Sequence, residues 1–342
     1  MRRRQPGSVT TTDVLLLGAA GNSGRLIAAE LAARGLSVQL AGRRRDPLED
    51  LARTLAAESP TGGATATGAT ADGTTAAVRT VDVSDPAALT AAMAGAGLVL
   101  STIGPFARQA GPVIDACLAA GVSYVDIANE WAAVRSLLDR GDRARAHEVT
   151  LVTGAGFGPA ATETLVLRLV DKLGTVPGLV RVAAAAEVTH RSDGVRQTIQ
   201  ESLSDGTTVV YRDGQVVREA LGSGAAVLAF GGAQRPMLPG PVGDLETARL
   251  ASGAANVVAY IADPAAPGTG DGSYAWAEAV GPDGQAFTAE LRTGEGVRAT
   301  AAIAAETARR VLAGAGPGAW TPGQLFGAAL VTDATGAQVT VT

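Results

Sequence analysis

The sequence predicts an α/β protein in which a doubly wound parallel sheet is followed by a second α+β domain built on a mainly antiparallel sheet. Apolar runs of strand length alternate with helical stretches through the first 130 residues. Beyond about residue 175, strand-like runs follow one another directly and include Asp-Gly turns. A glycine-rich turn, "GAAGNSG" at residues 18–24, separates the first strand from the first helix. These features indicate two sheets of different kinds in one chain.

The first region is predicted to contain five strands joined by four helices. Its opening strand, "DVLLLG" at 13–18, is apolar throughout, as in strands buried on both faces of a sheet. The segment "RLIAAELAAR" at 25–34 repeats its apolar residues at helical spacing, and Gly35 follows as a stop. The alternation continues with strands at 36–43, 78–85, 98–106 and 122–129 and helices at 46–58, 86–97 and 111–121. This pattern is typical of a Rossmann-type fold with right-handed crossovers.

Changes in composition and pattern suggest the domain boundaries. Residues 1–12 are expected to be a flexible N-terminus and residues 13–130 a nucleotide-binding domain, with a flexible loop at 59–77 that lacks large apolar side chains. Residues 131–294 are expected to form an α+β domain for substrate binding and dimerisation. Residues 295–342 are expected to form a long amphipathic helix and a tail that pack back on the first domain.

Composition excludes several classes of function. The 342 residues carry 28 basic and 33 acidic side chains, so the net charge of −5 offers no electropositive surface for nucleic acid. Cys117 is the only cysteine, and the two histidines, His147 and His190, are distant in sequence, which argues against disulfides and a metal site. The first apolar run, Val14 to Leu17, is too short for a signal peptide or a membrane span, so we expect a cytoplasmic protein.

The glycine-rich turn predicts a phosphate-binding loop. Gly18, Gly21 and Gly24 form the pattern GxxGxxG between a buried strand and an amphipathic helix. Glycine allows the tight turn, the approach of backbone to a pyrophosphate and the close packing of helix on strand, while the helix N-terminus favours an anion. We expect the intervening Ala19, Asn22 and Ser23 to contribute to the same loop. The alternative is a strand-to-helix turn that binds no ligand.

The ends of the second and third strands favour NADP(H) over NAD(H). Arg43 and Arg44 stand where an NAD-preferring protein usually places an acidic residue, and guanidinium groups suit a 2′-phosphate. The alternative is a solvated turn in an arginine-rich chain. Asp82, with Val83 beside it, ends the third strand and is placed to meet the adenine amino group. Its alternative is a helix-capping turn with Asp85.

Several segments together resemble the saccharopine dehydrogenase-like NADP-binding family, which includes trans-acting enoyl reductases of bacterial lipid assembly. The segments are "LLGAAGNSGRLIAAELAARG", "LAGRRRDPLEDL", "LVLSTIGPFARQAGPVIDACLAAGVSYVDIANE" and "GAGFGPAATE", within about the first 165 residues. The resemblance implies that the three glycines hold the pyrophosphate and that Arg43 and Arg44 hold the 2′-phosphate. It also implies that a block after the fourth strand lines the nicotinamide half: Ser101, Thr102, Ile103, Gly104, Pro105 and Phe106.

Two features of this block and its neighbours stay open. Phe106 could cover the nicotinamide ring or be an ordinary core aromatic. The family's Gly-Glu after the fifth strand is Asn129-Glu130 here, and we include Asn129 among the cofactor-binding residues. The family's Phe-Asp-Ser segment is Phe157-Gly158-Pro159, so the acid and hydroxyl of that segment are missing.

The proton donor is the least determined part of the site. A Tyr-x-x-x-Lys pair is excluded because Lys172, the only lysine, has no tyrosine four residues before it. The candidates are Tyr124, Glu130, His190 and Tyr211, of which Glu130 follows the fifth strand, where open α/β sheets bind ligands. For His190 the alternative is a surface histidine in a turn.

These observations predict an NADPH-dependent oxidoreductase. It would reduce a C=C or C=N bond of a small or carrier-linked metabolite, with no metal, no nucleic acid and a possible homodimer. The alternative is a non-catalytic NADP(H)-binding protein with a redox-sensing or scaffold role.

Overall fold

The structure is a computed structural model that describes residues 12–58, 77–186, 197, 200–201, 203–263 and 272–342. The predictions for the N-terminus, for the loop at 59–77 and for His190 therefore fall almost wholly outside the described residues.

A seven-stranded parallel sheet forms the first layer of the described chain, in the order β15-β6-β5-β4-β1-β2-β3. The order reverses between β1 and β4, which is the point where doubly wound sheets bind dinucleotides. Its strands are β1 (Thr12–Leu17), β2 (Val38–Gly42), β3 (Val78–Thr80), β4 (Ala96–Ser101), β5 (Ser123–Asp126), β6 (Thr150–Val152) and β15 (Gly318–Trp320). The predicted α/β class is confirmed, and two strands of the sheet come after residue 130.

Helices cover both faces of this sheet. They are α1 (Asn22–Ala33), α2 (Arg45–Ala57), α3 (Pro86–Met93), α4 (Phe106–Ala120), α5 (Trp131–Leu138), α6 (Gly141–Ala146) and α7 (Phe157–Leu173). Leu15 and Leu17 of β1 face the core beneath α3, α4 and α5, whereas Val14 and Leu16 face the core beneath α1 and α2. All four side chains are fully buried, as the continuous apolar run predicted.

A second, nine-stranded sheet has the order β10-β11-β12-β7-β13-β14-β16, and β8 pairs with β12 and β9. Its strands are β7 (Leu179–Ala185), β8 (Thr207–Arg212), β9 (Gln215–Ala220), β10 (Ala226–Phe230), β11 (Ala233–Pro239), β12 (Asn256–Ala262), β13 (Ser273–Val280), β14 (Ala286–Thr293) and β16 (Gln338–Val341). Every pair is antiparallel except β7 with β12. Asp213 and Gly214 turn the β8–β9 hairpin with φ of 49° and 77°, as the Asp-Gly pair predicted.

The remaining helices connect the two sheets. They are α8 (Asp244–Ser252), α9 (Gly296–Gly314), α10 (Pro322–Phe326) and α11 (Leu330–Thr335), with a short 3-10 turn at Gly327–Ala329. Buried alanines of α9 share a core with Ile27 and Leu31 of α1, so this helix lies against the parallel sheet. After α9 the chain adds β15 to the parallel sheet and β16 to the second sheet. In the described ranges, no helix is both long and apolar enough to cross a membrane.

Candidate functional site

The turn after β1 needs glycine at two positions. Gly18 has a φ of +79°, and a Cβ there would lie 2.5 Å from the Thr102 hydroxyl oxygen. A Cβ on Gly24 would lie 2.3 Å from the carbonyl oxygen of Gly18. Because a backbone atom cannot rotate aside as a side chain can, helix α1 could not lie this close to the strand with any other residue at position 24.

The N-terminus of α1 is suited to a diphosphate. Gly21 is the N-cap, no side chain caps the helix, and its first turn contains no acidic residue. Gly21 and Asn22 are exposed, Ser23 is half-buried, and Ala19 is buried beneath the turn. The unpaired N–H groups and the positive end of the helix dipole therefore face open space, where they can hold phosphate oxygens.

Two arginines follow β2, the strand that pairs with β1. Arg43 and Arg44 are exposed at the end of β2, and Arg44 is the N-cap of α2. Asp82 follows β3, and its Oδ1 accepts hydrogen bonds from the Ser84 backbone N (2.9 Å) and hydroxyl (2.7 Å). These bonds lower the pKa of Asp82, and the nearby charge of Arg43 adds to the effect. The capping role falls to Asp85, whose carboxylate accepts from the first turn of α3.

The block after β4 supports the glycine turn from below. The Thr102 hydroxyl donates to the carbonyl oxygens of Leu17 (3.0 Å) and Gly18 (3.1 Å), so its side chain lies beneath the phosphate loop. Ser101 is buried, and its hydroxyl accepts from the Ile103 N–H at 3.4 Å. Pro105, whose peptide bond with Gly104 is cis, is the N-cap of α4. Phe106 begins that helix and is 8% exposed among core residues.

Glu130 joins this block to the loop after β5. Its Oε1 accepts from the Phe106 backbone N (2.7 Å), and its Oε2 accepts from the Asn129 backbone N (3.2 Å). The side chain is 6% exposed, and both carboxylate oxygens already have backbone donors. Asn129 is exposed and its carbonyl oxygen accepts from the Gly243 N–H at 2.8 Å. Glu130 therefore fixes two loops at the carboxyl edge of the sheet.

A cavity of about 290 Å³ lies beside Glu130, between the parallel sheet and the second sheet. Pro105, Ala107 and Glu130 form part of one wall, and Thr207, Val209 and Arg218 of the β8–β9 hairpin form part of the other. The cavity thus adjoins the loops after β4 and β5, on the side of the switch point opposite Arg43.

Tyr211 lies in a buried network away from this cavity's lining. Its hydroxyl donates to Glu246 Oε2 at 2.5 Å and accepts from Arg135 at 2.9 Å. The Arg249 guanidinium lies 5.1 Å from the ring centroid and also pairs with Glu246. Burial, together with Glu246, raises the pKa of Tyr211. These bonds connect α5, β8 and α8, a structural role that the sequence did not predict.

Tyr124 is fully buried in β5, two residues before Asp126. Asp126 Oδ1 accepts from the Thr153 hydroxyl (2.8 Å) and from the Ala128 (3.1 Å) and Gly154 (3.2 Å) N–H groups. Burial raises the pKa of Asp126 to about 6. Burial and the neighbouring carboxyl raise the pKa of Tyr124 well above its usual value. Sequence reasoning missed Asp126, although its position as the last residue of a parallel strand was a usable signal.

Two further buried carboxyls were missed, because their partners are distant in sequence. Asp244 is 2% exposed and accepts from the Thr162 hydroxyl at 3.0 Å. Burial raises its pKa to about 6. Glu163 accepts from the Thr321 hydroxyl and from the Gly323 N–H (2.8 Å), and burial raises its pKa to about 7. Within the described ranges, no three His, Cys, Asp or Glu side chains come together to hold a metal ion.

One family model matches the first region of the chain, and several known proteins are similar to parts of it or to its fold. Residues 14–152 match the family model described as the saccharopine dehydrogenase NADP binding domain. A putative trans-acting enoyl reductase of Mycobacterium tuberculosis is 34% identical over 129 residues, which are 37% of this chain and 27% of the relative. A trans-acting enoyl reductase of Mycobacterium leprae is 29% identical over 160 residues, 46% of this chain and 35% of the relative. The chain thus spans about a quarter to a third of the length of these relatives.

A solved structure that is similar in fold over nearly the whole chain is known. It is the apo saccharopine dehydrogenase (L-Glu forming) of Saccharomyces cerevisiae, with a TM-score of 0.64, 14% identity, and coverage of 97% of this chain and 99% of that one. The glycine turn, the open N-terminus of α1 and the exposed arginines fit a dinucleotide with a 2′-phosphate. Residues 14–152 are therefore similar to the NADP-binding domain of saccharopine dehydrogenases, and the cofactor that this similarity supports is NADP(H).

Proposed function

We propose that the chain is an NADPH-dependent oxidoreductase that reduces a C=C or C=N bond of a small or carrier-linked metabolite. The observation that carries the proposal is the cavity of about 290 Å³ that adjoins the loops after β4 and β5. A dinucleotide crosses the switch point with its adenosine half on the β2–β3 side, which leaves the nicotinamide half beside this cavity.

The chain's own residues would bind, orient and shield the reactants there. NADPH, when bound, supplies the hydride. The α1 N-terminus and the arginines after β2 would hold its phosphates, and Glu130 would keep the β4 and β5 loops in place. Pro105, Ala107 and Val209 give the cavity apolar walls, which help to exclude water from hydride transfer.

The identity of the reduced bond rests on two separate supports. The relatives named trans-acting enoyl reductase favour a C=C bond of a carrier-linked substrate. The hydrogen bonds of Glu130 favour an imine. Both of its carboxylate oxygens accept backbone N–H groups, and a protonated imine nitrogen needs no acid from the protein.

A non-catalytic NADP(H)-binding role remains a second candidate. It is favoured by the bonds of Glu130 and Tyr211, since both Glu130 oxygens accept backbone N–H groups and the Tyr211 proton is donated to Glu246. A sensor of the cofactor's redox state would need the binding site but no free acid.

Cofactor titration tests the shared basis of both candidates. We expect Arg43→Ala and Arg44→Ala each to weaken NADPH binding about 10-fold to 100-fold, the loss of one charge-assisted hydrogen bond to a phosphate, and to leave NADH binding unchanged. Binding is followed by the fluorescence of the reduced nicotinamide. Arg53→Ala is the matched control, since Arg53 is an exposed arginine of α2 that pairs with Asp50. If wild-type protein binds NADH as tightly as NADPH, the argument from the arginines fails.

Turnover then separates the two candidates. The oxidation of NADPH is followed with a trans-2-enoyl pantetheine thioester and with a cyclic imine as probes. Reduction of either probe supports the reductase and identifies the bond type. Tight NADPH binding without oxidation by any probe of either class favours the non-catalytic role.

A further inference from the structure

We propose that Asp244 is the proton donor of the reductase site and gives its proton to the substrate atom that does not receive the hydride. This assignment rests on the proposed function and names a residue for the step that the sequence left undetermined. It is carried by the position of Asp244, by its contacts and by the absence of a side chain at Gly158.

Asp244 reaches the carboxyl edge of the parallel sheet from the second region. It is the first residue of α8, and the N-cap before it, Gly243, packs tightly against Asn129 and Pro159. A Cβ on Gly243 would lie 2.9 Å from Val134 Cγ2 and 3.2 Å from Pro159 Cγ. The start of α8 is therefore held against the loop after β5 and the first turn of α7. Asp244 does not line the cavity of about 290 Å³; its carboxyl approaches the edge of the sheet at Gly158, which is half-buried, and at Asn129, which is exposed.

The carboxyl of Asp244 has one anchored oxygen. Oδ1 accepts from the Thr162 hydroxyl at 3.0 Å, which fixes the orientation of the group. Oδ2 faces Gly158, where a Cβ would lie 3.2 Å from it and 3.4 Å from Asn129 Nδ2. The backbone N–H of Asp244 also interacts with its carboxyl, and Oδ1 would lie 3.4 Å from the same Cβ. The carboxyl thus faces the same point as the amide of Asn129, and no side chain at residue 158 covers either group.

This arrangement increases the fraction of the carboxyl that carries a proton near neutral pH, as a proton donor requires. Asp244 is 2% exposed, and burial raises its pKa to about 6, although the bond from Thr162 opposes the rise. Catalytic acids are tuned in this direction by burial. The amide of Asn129 can donate a hydrogen bond to a carbonyl oxygen or accept one from a protonated nitrogen of the substrate.

The charged groups around Asp244 are engaged elsewhere. Arg135 on α5 donates to Tyr211, and Glu163 on α7 accepts from Thr321 and Gly323. On its own helix, Glu246 and Arg249 pair with each other. The pH dependence expected for Asp244 therefore follows from its burial, which raises its pKa, and from the Thr162 hydroxyl and its own backbone N–H, which lower it.

The step balances with the reactants already named. The π bond of the substrate breaks, a hydride from NADPH forms one new bond, and the proton of Asp244 forms the other. NADP⁺ and the Asp244 carboxylate remain, and water restores the proton. The substrate is reduced by two electrons and the cofactor is oxidised by two.

A titration that needs no substrate tests the placement of Asp244. The protein is labelled with ¹³C in its aspartate carboxyls, and the Asp244 resonance is identified by its loss in Asp244→Asn. We expect its pKa to be lower in the NADP⁺ complex than in the NADPH complex by about one pH unit, because only the oxidised ring carries a positive charge. The phosphates are the same in both complexes, so the difference reports the distance from the ring. Equal pKa values in the two complexes overturn the assignment.

Three variants complete the design. Asp244→Asn should keep NADPH affinity within about twofold of wild type. With any probe that is reduced, it should lose the fall in kcat/KM that a proton donor causes as the pH rises through its pKa. Thr162→Val should raise the pKa of Asp244, because its hydroxyl hydrogen bond lowers that pKa. Glu163→Gln is the matched control, because it removes the neighbouring buried carboxyl of α7 and should leave the ring-dependent shift of Asp244 intact.

The possible outcomes separate a failure of the proposed function from a failure of the role proposed for Asp244. Wild-type protein that binds neither nucleotide overturns the proposed function and the assignment together. Protein that binds NADPH and reduces a probe, but whose Asp244→Asn variant keeps the wild-type pH profile, overturns only the assignment of Asp244.

Discussion

Substitution of Gly24 by alanine tests whether the phosphate loop depends on close packing of backbone on backbone. A Cβ at this position would lie 2.3 Å from the Gly18 carbonyl oxygen and 2.8 Å from both the Cα and the carbonyl oxygen of Ala19. All three are main-chain atoms of the turn between β1 and α1. Relief of the overlap therefore requires α1 to move away from the strand by roughly 1 Å, since no side chain can rotate aside.

The expected cost follows from two opposing effects. Overpacking of this kind costs about 1–3 kcal/mol, and contacts with backbone place this case at the upper end. Alanine is favoured over glycine within a helix by about 1 kcal/mol, which offsets part of the cost. A net loss of about 2 kcal/mol should lower the Tm of a chain of 342 residues by about 3 °C. The displaced helix N-terminus should weaken NADPH binding by about tenfold or more.

Thermal unfolding followed by circular dichroism and NADPH titration by fluorescence measure the two effects. Gly21→Ala is the matched control for stability, because a Cβ there would meet only the Gly18 carbonyl oxygen, at 3.3 Å. We expect that variant to unfold within about 2 °C of wild type. A Gly24→Ala protein with the Tm and the NADPH affinity of wild type would refute the reasoning.

Two further predictions concern Thr102, which lies beneath the glycine turn, and the buried carboxyl of Glu163. Thr102→Val removes the hydroxyl that donates to Leu17 and Gly18, so it should cost about 1 kcal/mol in the free energy of unfolding, whereas Thr90→Val on the exposed face of α3 should cost less. Glu163 has a pKa raised to about 7, so the folded state retains its proton at a pH where the unfolded chain has lost it. The contribution of Glu163 to the free energy of unfolding should therefore decrease as the pH rises from 5 to 8. In Glu163→Gln, the free energy of unfolding should change less with pH over that range. If the free energy of unfolding of Glu163→Gln depends on pH as steeply as that of wild type, a group other than Glu163 causes the dependence.

The parts of the fold that follow from local sequence were predictable. The apolar run of β1 and the glycine turn before α1 are contiguous, so the strand, the turn and the helix could be predicted together. The Asp-Gly pair likewise predicted the β8–β9 hairpin. In contrast, β11 carries Pro236 and Pro239, which disfavour a strand, and its pairing with β10 and β12 outweighs that preference.

The parts that depend on distant pairings were not predictable. β15 joins β6 through Gly318 and Thr150, and nothing local to either residue indicates the other. The sequence identified the loops after β1, β2 and β4 but could not show that Glu130 binds backbone N–H groups from two of the loops at this edge. The sequence predicted a helix from Asp244 to Ala251 but could not show that the packing of Gly243 brings Asp244 to Gly158. Burial and geometry, which are tertiary properties, decide these roles.

The order in which strands enter the two sheets also constrains how the protein can be made. Strand β15 completes an edge of the parallel sheet, and β16 completes an edge of the second sheet, from a stretch spanning only residues 318–341. Domains of large proteins usually fold one after another as the ribosome extends the chain. Most strands of the parallel sheet are synthesised early, but β6 has no partner on one side until residues 318–341 have been synthesised. We expect chaperone dependence during synthesis to be greatest in that interval and to end when both edges are closed.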